Sequence, residues 1–207
     1  MVCFVDKKIQ TSFMNMDDIQ KDCVIWAKEI AETYIPDLII FIAKSGFLFA
    51  KPMADYYGCE LLDIMVSRPS NTRADVIKKI IPKLPRIVLA KYLAFKVGRK
   101  KYDKNSIRYL NIPDKLKKCE TKNYQKILVV DDSVDTGWSL KVVIDYLDSK
   151  GLEGKYKIAS YCVLSRAFQR TKVYFYRYLD AIIITGTSRY SGEYSNFLNS
   201  YEKWKNK

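Results

Sequence analysis

The sequence predicts an α/β fold, one mainly parallel sheet flanked by helices, and three features carry the prediction. Residues 38–43 (LIIFIA) and 127–130 (ILVV) are continuous apolar runs, as in central strands buried on both faces of a parallel sheet. Each run meets a short polar loop containing a glycine, Lys44-Ser45-Gly46 in one case and residues 133–139 in the other. Each loop opens directly into a helical segment. At 207 residues and 48% hydrophobic, the chain can bury one good core, so a single domain over residues 1–207 is expected.

The core is expected over about residues 17–66 and 124–165. The strand at 38–43 leads through Lys44-Ser45-Gly46 into a helix that runs to about Tyr57. A second strand covers 61–66. A basic insert over about 67–125 follows, beginning with a loop at 67–73 (SRPSNTR). Within it a helix is expected from about Pro85 to Lys100, apolar over much of its surface with Arg86, Lys91, Lys96 and Arg99 interspersed. A polar, lysine-rich stretch then reaches Gln125. Beyond the strand at 127–130, a helix runs roughly from Trp138 to Lys150 and a strand from 157 to 164. A segment dense in aromatics (172–178) and a strand (181–185) come next. Residues 166–207 supply a hood and a tail helix through Trp204, the small hood drawing on both ends of the chain.

The segment 126–140, KILVVDDSVDTGWSL, is the most informative. Ligands of parallel α/β sheets sit outside the carboxyl ends of the strands, where this loop lies. Gly137 permits a tight turn and close approach by a ligand. The following helix points its free N–H groups and positive dipole end at the loop, and together they make an anion site. Thr136 and Ser139 add hydroxyl donors. A bare phosphate site would not gather three carboxylates, because like charges repel. Asp131 and Asp132 are therefore suited to accepting hydrogen bonds from sugar hydroxyls or helping to hold a cation. A strand ending in a solvated turn and helix cap is the bland alternative.

This order of features resembles the phosphoribosyl pyrophosphate (PRPP) signature of type I phosphoribosyltransferases, closest in pattern to the purine (hypoxanthine-xanthine-guanine) members. The resemblance implies a type I phosphoribosyltransferase-like fold with a hood. It implies that Asp131 and Asp132 bind the ribose 2′- and 3′-hydroxyls and meet Mg²⁺ through water or substrate. The PRPP loop would comprise Asp131, Asp132, Ser133, Val134, Asp135, Thr136, Gly137, Trp138 and Ser139. Backbone amides from Asp135 to Ser139, with the Thr136 and Ser139 hydroxyls, would take the 5′-phosphate. Asp135 would be the general base near the purine N7. Trp138 departs from the Gly, Ala or Lys usual there. Lys44, Ser45 and Gly46 are similar to the family's pyrophosphate loop, often Lys-Gly-Gly, whose first two residues are joined by a cis peptide. Ser45 is a departure.

For the base, the resemblance implies a hood with an aromatic stacker and a cation reading an oxo group. Lys172 or Arg177 could read it and residues 174–178 could stack; Lys172, Tyr176 and Ile184 are the base-binding candidates. Purine members carry a hood aspartate and a later arginine. Here the stretch 190–198 offers only Glu193 as a carboxylate, with Arg189 close by.

Composition narrows the chemistry further. There is no histidine, which excludes Ser-His-Asp and Cys-His catalysis and histidine-based metal sites. Five scattered cysteines (3, 23, 59, 119 and 162) without a CxxC read as reduced thiols. With no run apolar enough to span a membrane and no signal-peptide pattern, a cytoplasmic protein is expected. The net charge of +13 is uneven: residues 68–126 hold 18 Lys and Arg against 4 Asp and Glu, and the rest of the chain 18 against 19. Such a block marks an interaction surface. Arg68, Arg73 and later lysines could attract a phosphorylated substrate, or the face could be solvated, with the apolar helix packing a homodimer. Nucleic-acid binding stays open, unsupported by a recognition motif.

Two functions are therefore expected. The first is Mg²⁺-dependent transfer of ribose 5-phosphate from PRPP to a nucleobase, foremost a 6-oxopurine, releasing pyrophosphate. The alternative is a non-catalytic PRPP- or nucleotide-binding regulator that binds nucleic acid or a partner through the insert.

Overall fold

Period-two burial along the central strands shapes the molecule. In β2 (Leu38–Ala43), Ile39 and Phe41 enter one core while Leu38, Ile40 and Ile42 enter the other. In β5 (Ile127–Val134), Leu128 and Val130 face the first core, and Ile127 and Val129 the second. A strand buried on both faces needs helices on both faces, and the computed structural model supplies them. It describes residues 10–67, 85–98, 108–119, 124–189 and 191–206.

The elements run β1 (Gln10–Phe13), α1 (Met16–Ala31), β2, α2 (Phe47–Tyr57), β3 (Glu60–Ser67), α3 (Arg86–Gly98), β4 (Tyr109–Asn111), α4 (Asp114–Cys119), β5, α5 (Trp138–Ser149), β6 (Tyr156–Val163), a 3₁₀ turn (Ser165–Gln169), β7 (Phe175–Leu179), β8 (Ala181–Ile184) and α6 (Tyr194–Lys205). The six-stranded sheet has the order β4-β3-β2-β5-β6-β7, parallel except for β4 at the edge. This is the expected α/β architecture.

Helix α1 shows how local chemistry sets an element. The Asn15 side chain accepts from the Asp18 amide at 2.8 Å, and Asp17 and Asp18 complement the dipole. Ile19, Cys23, Trp26, Ala27 and Ile30 then recur at helical spacing and are buried. Helix α2 ends at Gly58, whose φ of 65° lets the chain turn back into β3.

The hood joins the two ends of the chain, as the sequence indicates: β1 pairs in parallel with β8, Gln10 opposite Ala181 through Phe13 opposite Ile184. Helix α3 of the insert packs on it, Leu89 and Ile184 being buried together with Phe13, Tyr92 and Ile182 around them. Its apolar face is thus partly covered within the same chain, while Val88 and Phe95 remain exposed. The expected elements differ in three places. β5 runs on through both carboxylates to Val134, because its pairing with β6 continues to Val134 opposite Val163. The aromatic segment is a strand, β7, at the sheet edge. β4 and α4 lie in the stretch read only as polar and lysine-rich. Arg68, Arg73 and Arg99 lie outside the described residues. Among the described residues, no helix is long and apolar enough to cross a membrane.

Candidate active site

Adjacent strands bring the two loops together. β2 and β5 pair with Phe41 opposite Val130, so Lys44-Ser45-Gly46 leaves the sheet beside Asp131. A Cβ on Gly46 would stand 2.6 Å from the Ile42 carbonyl oxygen and 3.1 Å from that of Val130, both backbone atoms. Only glycine lets the first loop fold against the second strand. Gly46→Ala is expected to force the loop outward and destabilise the protein by about 1–3 kcal/mol, as overpacking does. A thermal melt checks it, and an unchanged midpoint would show that the loop yields freely. A non-proline cis peptide joins Ala43 to Lys44. This corrects the expected bond between Lys44 and Ser45 by one residue: the cis bond enters the loop at the strand end.

A cavity of about 440 Å³ opens at the carboxyl edge of the sheet. Asp131, Asp132, Ser133, Val134, Asp135, Thr136, Gly137, Trp138 and Ser139 all line it, with Ser45 from the first loop. Gly137 is left-handed, with φ at 78°, and serves as N-cap of α5. The helix start and the carboxylates therefore face one space.

Asp131 is buried, and its carboxylate accepts the Asp132 amide at 3.0 Å. Burial raises its pKa well above the usual carboxylate range, and the neighbouring Asp132 charge adds to the rise. Burial raises Asp132 as well. Hydroxyl donors or a cation at this pair would relieve both costs. Among the described residues, no three or more His, Cys, Asp or Glu side chains gather to hold an ion by themselves. The donor set thus fits a divalent cation only where water or substrate oxygens complete its shell. Cys162 also lines the cavity, but burial pushes its thiol up to about 12, so it stays protonated and is no nucleophile near pH 7.

Several candidates stand elsewhere. The Lys44 ammonium pairs with Glu202 of α6 at 3.0 Å. Lys172, Tyr176 and Ile184 do not line the cavity. Lys172 lies over the Tyr174 ring at 4.7 Å, Tyr176 is exposed on β7 against Phe168, and Ile184 is buried beside Leu89. Arg177 is bound by Asp22 and Glu29 of α1, each at 2.7 Å. Glu193 accepts the Met16 amide at 3.2 Å and so caps α1. The upper wall is instead Leu164, Ala181, Ile182, Ile183 and Thr185, with Val66 and Val97.

One residue that sequence reasoning missed is Arg166. Its guanidinium forms an ion pair with the Asp135 carboxylate and donates to the Val97 carbonyl of α3 at 3.0 Å. The available signal was its position, three residues beyond β6 at the carboxyl edge.

The model of the phosphoribosyl transferase domain matches residues 12–191. The chain belongs to this family. No curated protein matches it significantly. Among solved structures, this phosphoribosyltransferase-family chain is similar in fold to the xanthine-guanine-hypoxanthine phosphoribosyltransferase of Helicobacter pylori, at 18% identity and TM-score 0.60, covering 92% of this chain and 99% of that one. It is also similar to a purine phosphoribosyltransferase of Pyrococcus horikoshii, at 18% identity and TM-score 0.57, over 84% and 92%. A hypothetical protein from Neisseria gonorrhoeae with bound ppGpp matches at 12% identity and TM-score 0.54, over 96% and 99%.

Proposed function

We propose that this family member transfers the ribose 5-phosphate of PRPP to a nucleobase, foremost a 6-oxopurine, and releases pyrophosphate. The observation that carries the reading is one cavity lined both by the buried Asp131 with its half-buried neighbour Asp132 and by the glycine-turned start of α5. Sugar hydroxyls and a phosphate are the groups those two parts suit. Asp131 and Asp132 take the ribose hydroxyls. The amides from Asp135 to Ser139, with the Thr136 and Ser139 hydroxyls, take the 5′-phosphate, and Ser133 and Val134 carry the chain between them. Lys44, Ser45 and Gly46 meet the pyrophosphate.

A base nitrogen attacks C1 as the bond from C1 to the pyrophosphate oxygen breaks. The electron pair leaves with pyrophosphate, and the proton on the ring nitrogen that does not attack, N7 of a 6-oxopurine, passes to Asp135. Asp131 and Asp132 would help to hold Mg²⁺ through water or substrate oxygens, and the ion would supply charge neutralisation for the leaving group. Catalysis is then mostly positioning and electrostatic stabilisation. The basic insert adds long-range attraction for a polyanionic substrate. Base recognition falls to the apolar wall around Ile182 and Ile183 and to backbone groups of the hood.

A second reading, a PRPP- or nucleotide-binding regulator, is favoured by the placement of Lys172 and Arg177 away from the cavity; the ppGpp-bound neighbour is of similar fold. One assay separates the two: PRPP and Mg²⁺ with hypoxanthine, guanine, xanthine, adenine, orotate and uracil in parallel. Pyrophosphate release tied to one base is the expected result. Silence across all six, with PRPP or ppGpp still bound, would favour the regulator.

A further inference from the structure

We propose that Arg166 and Arg170 are positioning residues for the loop from Asp135 to Ser139, Arg170 setting its grip on phosphate and Arg166 holding the Asp135 carboxylate for turnover. This rests on the transferase reading above and adds two residues to it.

The 3₁₀ turn Ser165–Gln169 and Thr171 lie directly behind the loop, and the contacts match residue by residue. Arg166 forms the ion pair with the Asp135 carboxylate, and its Nε donates to the Asp135 carbonyl at 3.3 Å. Thr171 and the Ala167 carbonyl back Gly137 so closely that a Cβ there would meet Thr171 Oγ1 at 3.1 Å and the carbonyl oxygen at 3.4 Å. Arg170 Nη1 donates to the Thr136 carbonyl at 3.2 Å, and its guanidinium carbon lies 4.7 Å from the centre of the Trp138 ring. Asp135, Thr136 and Trp138 are thus each bonded or covered by Arg166 or Arg170, and Gly137 between them is closely backed by Ala167 and Thr171.

Peptide planarity turns these bonds into an effect on the ligand. In a trans peptide the N–H points opposite to the carbonyl. Arg170 draws the Thr136 carbonyl to its own side and so fixes the Gly137 N–H on the other. Its flat guanidinium also takes up the Trp138 ring by stacking. That gives the bulky residue at 138 a partner outside the phosphate's place. Arg166 bonds both oxygen types of Asp135 and ties them to α3 through Val97. Its rigid planar fork spreads its donors over three nitrogens and so spans these separated acceptors, whereas an ammonium would have to reach them all from one atom.

The test is steady-state kinetics on the wild type, Arg166→Met, Arg170→Met and the corresponding lysine variants, with melting curves alongside. Loss of one charge-assisted hydrogen bond corresponds to about a tenfold change or more. Arg170→Met is expected to raise the PRPP KM at least about tenfold with kcat within about threefold. Arg166→Met is expected to lower kcat at least about tenfold with the PRPP KM within about threefold. Arg170→Lys recovers part of the loss, because a cation near Trp138 and one donor remain. A merely structural role would move KM and kcat together in both variants, in step with the melting temperature, and would overturn the inference. If a methionine variant does not fold, its lysine counterpart is judged by the same split. A wild type that releases no pyrophosphate with any base overturns the transferase reading instead. PRPP calorimetry on wild type and Arg170→Met then decides for Arg170, equal affinities overturning its role.

Discussion

Asp131→Asn is expected to weaken PRPP binding and to strengthen the ligand-free protein in the same stroke. The buried carboxyl holds its proton more tightly in the folded chain than in the unfolded one, because burial and the Asp132 charge both oppose ionisation. Such a group favours folding below its ordinary value of about 4, where both states are protonated. As pH rises above that value, the unfolded chain releases the proton first, and stability falls until the folded carboxyl ionises too. An asparagine has no such slope, and its side-chain oxygen can still accept the Asp132 amide that Asp131 accepts at 3.0 Å. The variant's melting temperature should therefore exceed that of the wild type by an amount that grows as pH rises above about 4. PRPP affinity should fall about 10- to 100-fold, the loss expected when a charged acceptor for sugar hydroxyls becomes neutral. Melts across pH with and without PRPP and Mg²⁺ read both effects. A variant less stable at every pH, or one binding PRPP as tightly, would remove Asp131 from the ribose site.

That opposition explains which parts of the site the sequence could reveal. A residue that costs stability stands out against the composition around it, and Asp131 and Asp132 interrupt the apolar run of β5. Gly46 and Gly137 stand out for a steric reason: the first has no room for a Cβ and the second has a positive φ. The central place of β2 and β5 in the sheet was legible for a related reason, since both strands are apolar on both faces. The hood was less legible. Lys172, Tyr176 and Arg177 have side chains chemically suited to gripping a base, yet Lys172 lies over the Tyr174 ring, and on the edge strand β7 Tyr176 packs against Phe168 and Arg177 pairs with α1. The cavity wall is made by Ile182 and Ile183, which look like any buried strand. Arg170 was invisible, and Arg166 was marked only by its place just beyond β6, because their roles depend on where a short turn lies behind a loop far away in sequence. No periodicity records that.

Asp135→Asn separates binding from chemistry most sharply. The change keeps the size of the side chain and leaves the backbone amides from Asp135 to Ser139 in place, so PRPP affinity should stay within about threefold. It removes the group that receives the proton of the ring nitrogen that does not attack, and turnover should fall by about 10²- to 10⁴-fold, the usual contribution of a positioned general base. Arg166 sharpens the expectation, because its guanidinium loses an ionic partner but keeps the Asp135 and Val97 carbonyls at 3.3 and 3.0 Å, so the loop retains two of its ties. The loss should also depend on pH. At higher pH the free base loses its own N–H proton in solution, and an anionic acceptor needs no general base. The deficit of Asp135→Asn should therefore shrink as pH rises toward the acceptor's own pKa, whereas a defect in loop shape would persist at every pH. A kcat profile from about pH 6 to 10 on both proteins distinguishes these outcomes. A constant deficit would assign Asp135 to positioning alone, and an unchanged kcat would take it out of the reaction.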